Sequence, residues 1–116
     1  MLWGFNQPIW FYQQPIDFRR QLDGLIILTA DTLNANPTSG QLFIFRNKKA
    51  DRLKFLWWDE HGFWLFYKRL EKGKFYMPKL ADSKLELSKE QLHLLLAGLD
   101  FINQKYRKKI TAKNFY

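Results

Sequence analysis

Between Ser39 and Tyr76 aromatic and basic residues alternate at strand spacing, and no other feature constrains the fold as tightly. Three apolar runs, near 41–46, 52–58 and 63–69, are joined by Asn47-Lys48-Lys49-Ala50 and Asp59-Glu60-His61-Gly62, linkers of hairpin length made of turn residues. The spacing predicts an antiparallel meander. A further short strand is expected over Lys74 to Met77, set off by Glu71-Lys72-Gly73, and another over Ile9 to Tyr12, bracketed by Pro8 and Pro15.

Two helices complete the expected fold. From Asp17, the residues Phe18, Leu22, Leu25, Ile26, Thr29 and Leu33 recur at helical spacing, with Asp17 placed to cap, and Asn34 to Gly40 stops the run. After Pro78 a polar loop leads to Ser88-Lys89-Glu90-Gln91, which has the capping-box form, followed by an inner face of Leu92, Leu95, Leu96 and Leu99 and by Gly98 as the stop. The fold class is α+β: a meander of four to five strands packed with two main helices, one domain over residues 1–100, and a basic tail over 101–116.

Charge narrows the partners. The 116 residues carry 19 Lys and Arg against 11 Asp and Glu, a net +8, which favours polyanions. Residues 1–16 have no charged side chain, whereas 46–74 hold nine basic and four acidic ones and 101–116 hold five basic and none acidic. The absence of cysteine excludes disulfides and thiolate metal sites and leaves a cytoplasmic protein as the natural reading. The uncharged start lacks a basic leader and is broken by Asn6, Gln7, Pro8, Gln13, Gln14 and Pro15, unlike a signal peptide. No apolar run reaches the ~18 residues of a membrane span.

Several words occur in order along the chain: Pro15-Ile16-Asp17-Phe18-Arg19-Arg20, Asp23-Gly24-Leu25, Ser39-Gly40, Leu42 to Asn47, Asp51-Arg52-Leu53-Lys54, Trp58-Asp59, Gly62 to Leu65 and Lys68 to Gly73. Together, over roughly residues 7–100, they resemble the small accessory protein of IS66-type bacterial insertion sequences, the TnpB or Orf2-like family. The resemblance implies a helper of transposition, acting beside a separate, larger transposase that carries the DNA-cutting carboxylates; no catalytic residues are established for the family's helper. Tyr76-Met77-Pro78 stands where the family usually shows a Trp-Pro pair, and the end beyond Asp100 is longer and more basic than the family's.

Alternation on the strands places Leu53, Phe55 and Trp57 on one face and Arg52, Lys54, Leu56 and Trp58 on the other, and likewise Phe63, Leu65 and Tyr67 against Trp64, Phe66 and Lys68. If both helices cover one face, the other offers rings for bases and cations for phosphates. The candidate nucleic-acid contacts are Arg46, Lys48, Lys49, Arg52, Lys54, Lys68, Arg69 and Lys72. Arg19 and Arg20 join them at the start of the first helix, where free N–H groups also suit phosphate. Trp58, Trp64 and Trp10 are candidates for stacking or anchoring. The plainer alternatives are that the rings build the core, that the cations are solvated, and that Arg19 and Arg20 pair with Asp17 and Asp23.

The function expected is non-catalytic: DNA binding at insertion-sequence ends with limited specificity, or docking on the transposase and other element-encoded proteins through an aromatic surface including Trp3 to Tyr12. A metal-dependent nuclease ranks last. Only Asp82-Ser83-Lys84 has nuclease spacing, in an expected loop, and Asp51, Asp59 and Glu71 fit turns or ion pairs. His61 and His93 sit in no metal-site pattern, no phosphate loop or nucleophile elbow occurs, and no cofactor is expected.

Overall fold

Period-two alternation and short turns do build the sheet, but the chain surrounds it differently from the simplest expectation. The computed structural model describes residues 6–79 and 83–103. In chain order the elements are β1 Ile9–Tyr12, α1 Leu22–Asp31, β2 Leu42–Arg46, β3 Arg52–Trp58, β4 Phe63–Arg69, β5 Lys84–Leu87 and α2 Lys89–Leu96. They form one α+β domain with a single five-stranded sheet in the order β4-β3-β2-β1-β5.

β2, β3 and β4 are the antiparallel meander, in the registers Ile44 opposite Phe55 and Phe55 opposite Phe66. β1 instead runs parallel to β2, with Ile9 beside Leu42, so α1 is the crossover of a β-α-β unit. β5 closes the far edge antiparallel to β1. The fourth antiparallel strand is therefore Lys84–Leu87, in what reads from sequence as a polar loop, and not Lys74 to Met77. The 74–77 segment is irregular because Phe75 anchors it: the ring is buried and the Phe75 backbone N–H donates to the Ala50 carbonyl at 2.7 Å.

α1 starts at Leu22, five residues after Asp17. The Asp17 carboxylate accepts from the Arg19 backbone N–H at 2.9 Å, and the Asp17 carbonyl accepts from Arg20 N–H, closing a turn in place of a helical one. The Lys54 ammonium claims the carbonyls of Phe18 and Arg20, at 2.9 and 2.7 Å, away from any helical ladder. The N-cap is Gln21, without a side-chain cap, so neither Asp17 nor the two arginines sit at the helix end. α2 behaves as its sequence signals. Ser88 Oγ accepts from Gln91 N–H, Gln91 Oε1 accepts from Ser88 N–H, and the chain turns away at Gly98 with φ +77.

The two helices lie on opposite faces of the sheet. Ile9, Phe11, Leu42, Ile44, Leu53 and Phe55 pack with Leu92, Leu94 and Leu95 of α2 and with Phe101. Phe43, Phe45 and Leu56 pack with Leu25 and Leu28 of α1 and with Leu33. Both faces of the central strands are thus core, which accounts for the nearly unbroken burial of β2 and β3.

Candidate nucleic-acid interface

The β2–β3 hairpin is built around Asn47. Its side-chain oxygen accepts from the backbone N–H of Asp51 and Arg52, at 3.1 and 3.0 Å, and its amide donates to the Asp51 carboxylate at 2.7 Å. That bond is the main reason the Asp51 carboxyl titrates below the usual range. Ala50 completes the turn at φ +59 with its methyl buried, which leaves Lys48 and Lys49 exposed at the tip.

The exit of β4 is strapped to this hairpin. Leu70 N–H donates to the Asp51 carbonyl at 2.8 Å, Phe75 N–H to that of Ala50, and Arg52 lies opposite Arg69 in the register. One end of the sheet therefore gathers Lys48, Lys49, Arg52, Arg69, Lys72 and Lys74. Directly opposed like charges are unfavourable; Glu71 offsets Arg69 at 2.8 Å, and the Asp51 carboxylate lies near enough to Arg52 and Lys49 to interact with both. The Arg52 Nε is buried and finds no hydrogen-bond partner among the described residues. A groove of about 310 Å³ runs beside it between Ile16-Asp17-Phe18 and the hairpin.

Other candidates are committed elsewhere. Lys54 is 4% exposed, holds two carbonyls and lies 4.9 Å from the Phe18 ring centroid; burial pushes its pKa down. Arg46 donates from Nε to the Gln13 carbonyl at 2.6 Å and from Nη1 to the Asn47 carbonyl, and burial pulls its pKa down too. Both are structural cations. Lys68 is half-buried and points to the face opposite Arg52 and Arg69. Arg19 pairs with Asp17, while Arg20 is exposed.

The aromatic candidates do not join the cations. Trp10 is half-buried, donates to Gln41 Oε1 at 2.6 Å and has the Lys84 ammonium 4.6 Å from its ring centroid. Trp58 packs on Phe63 with centroids 4.9 Å apart. Trp64 is exposed, lies parallel to Phe66 and donates to Asp59 Oδ2 at 2.7 Å. It sits five residues from Arg69 along β4, about 17 Å at strand rise, toward the end that carries Asp59 and Glu60. The Asp59 carboxyl is held below the ordinary range by N–H donors from His61, Trp64 and Gly62. The candidate tryptophans thus stand apart from the basic tips, and the rings nearest the basic groove are Phe18 and Tyr67.

Sequence reasoning missed the strap at Phe75, although a lone large ring between Lys74 and Tyr76 after a glycine turn was a usable signal. Lys84 of the nuclease-like triplet lies on β5, while Asp82, Trp3, Phe5 and nearly all of the basic tail fall outside the described residues. Among the described residues no group of three or more His, Cys, Asp or Glu is placed to hold a metal ion, and no helix is long and apolar enough to cross a membrane.

A family model described as IS66 Orf2 like protein matches residues 7–106. The chain belongs to the IS66 Orf2-like family. Two Sinorhizobium fredii (strain NBRC 101917 / NGR234) proteins are similar to it. The uncharacterized protein y4jC is 46% identical over 92 residues, 79% of each chain, and the uncharacterized protein y4hO is 35% identical over 98 residues, 84% of this chain and 85% of that one. No solved structure matches. The matched span of this IS66 Orf2-like chain includes the whole sheet, both helices and the basic end.

The Asp17–Arg19 pair offers a direct electrostatic check. Charge-assisted bonds from Arg19 bring the Asp17 carboxyl from 3.8 down to about 2. A folded pKa below the unfolded one gives a contribution present above the unfolded value and lost as pH falls through about 2. Carboxyl-carbon NMR should find Asp17 titrating near that value, and Arg19→Ala should return it toward 3.8. Stability at neutral pH should barely change, because the pair is solvent-exposed.

Proposed function

We propose that this chain is a non-catalytic accessory protein of insertion-sequence transposition that binds DNA with the basic end of its sheet. Membership of an insertion-sequence family supplies the setting. The observation that carries the DNA reading is the convergence of two basic segments, the β2–β3 tip and the β4 exit, through the Leu70–Asp51 and Phe75–Ala50 bonds. Cations on loop tips meet phosphates, which position a protein without reading sequence, so specificity is limited. The transposase carries the cutting chemistry in this reading. An adaptor role on the transposase draws on Trp64 and Tyr67, because Trp10 is engaged internally.

The test is fluorescence anisotropy with labelled element-end DNA and a scrambled duplex over a salt series, comparing wild type with Lys48→Ala/Lys49→Ala/Lys72→Ala. All three side chains are exposed. If each contacts a phosphate, the triple change should lower affinity on the order of 100-fold and reduce the salt slope by about three, with nearly equal losses on both duplexes. Absence of binding at low salt, or equal affinity of the triple variant, would refute the assignment.

A further inference from the structure

Among the described residues β4 is an edge strand of seven residues whose one neighbour in the sheet is β3. The opposite edge, β5, has four residues and presents Lys84 and Glu86, the short charged form that resists further pairing. β4 instead exposes Trp64 and Tyr67, at 46% and 52%.

The hydrogen-bond phase of β4 follows from its ends. Asp59 N–H donates to the Gly62 carbonyl, and Leu70 N–H donates to that of Asp51. With the intervening register, the bonded pairs across β3 and β4 are Trp57 with Trp64, Phe55 with Phe66 and Leu53 with Lys68. Phe63, Leu65, Tyr67 and Arg69 therefore direct their backbone N–H and C=O groups outward, along the open edge.

We propose that this edge pairs antiparallel with β4 of a second copy of the chain, about a twofold axis at Phe66. Pairing must join outward-facing residues to outward-facing residues, and the alignment centred on Phe66 uses the whole strand. It sets Phe63 opposite Arg69 and Trp64 opposite Lys68, a ring against a cation at each end, with Leu65 opposite Tyr67 between them. No two like charges face each other. Centring on Leu65 or Tyr67 keeps the phase but shortens the pairing and loses the Phe63–Arg69 and Trp64–Lys68 matches, with only Phe66 against Lys68 gained in the second case. Beyond the strand ends the same axis brings the Asp59-Glu60 turn of one copy toward Lys72 of the other, so the acidic and basic ends of the two sheets are complementary. The product is a continuous ten-stranded sheet.

Sedimentation velocity at micromolar concentration should give twice the 14.1 kDa chain mass. The register is read by cross-linking, free of background because the chain has no cysteine. Trp64→Cys mixed with Lys68→Cys should form a disulfide-linked dimer under mild oxidation, faster than either variant alone, since facing residues lie within disulfide reach. Trp64→Cys mixed with Ala30→Cys, on an exposed position of α1, is the control. Tyr67→Pro removes an outward donor while sparing the β3 ladder, and should give a monomer with an unchanged circular dichroism spectrum. A wild-type mass of one chain would overturn the proposal and leave the edge to another protein. So would a dimer in which the 64/68 mixture cross-links no faster than the control.

Discussion

Lys54→Ala should destabilise the fold by about 3 kcal/mol, because two half-buried hydrogen bonds from a charged donor are lost together with the packing of a buried stem. The ammonium holds Phe18 and Arg20 at 2.9 and 2.7 Å, and these contacts fix the turn that delays α1. The stem is buried on β3 beside the Phe18 ring, so packing is lost as well. For a domain of this size the thermal midpoint should fall on the order of 10 °C. Lys54→Met, which keeps the stem, should recover only part of the loss. DNA affinity measured below the midpoint should not change with either variant. A loss of affinity without a loss of stability would mean that Lys54 reaches solvent after all.

Phe11→Ala should be more damaging, at about 4 kcal/mol. Phe11 is fully buried in the α2-side core and meets Phe101 edge-to-face, with centroids 5.9 Å apart. It sits on β1, which joins the parallel β2 to the antiparallel β5, so the cavity opens where the sheet depends on non-local pairing. Against a typical total of 5–15 kcal/mol this leaves a marginal domain. Urea unfolding should show a lower midpoint with an unchanged slope. Phe11→Leu, which refills most of the volume, should cost about 1.5 kcal/mol. A loss below 1 kcal/mol for the alanine variant would mean that Phe101 and its neighbours collapse onto the space.

The meander was legible because its information is local. Alternation in 52–58 and 63–69 and the turn at Asn47 fix hairpins with no reference to distant residues, and the capping box at Ser88 does the same for α2. The strand Ile9–Tyr12 was legible between its two prolines, but its parallel place beside β2 and the whole of the short β5 were not, since the partners lie more than thirty positions away and nothing local marks the pairing. Lys54 shows the limit for the site. Its alternation with Arg52 suggests a shared basic surface, yet α1 covers that face, and the carbonyls that draw Lys54 inward belong to a turn thirty-four to thirty-six residues away. Lys48 and Lys49 remain exposed because a hairpin tip projects beyond the helices on either side.

Where helices clad both sides of the central strands no tabletop is left, and among the described residues the sheet is open mainly along β4 and at its tips. Bases cannot be laid flat across it, as they are on an open sheet whose aromatics stack them. On the proposed DNA reading, discrimination would come from outline: how far apart the tips are held, and which bends in a polyanion bring charge to both at once.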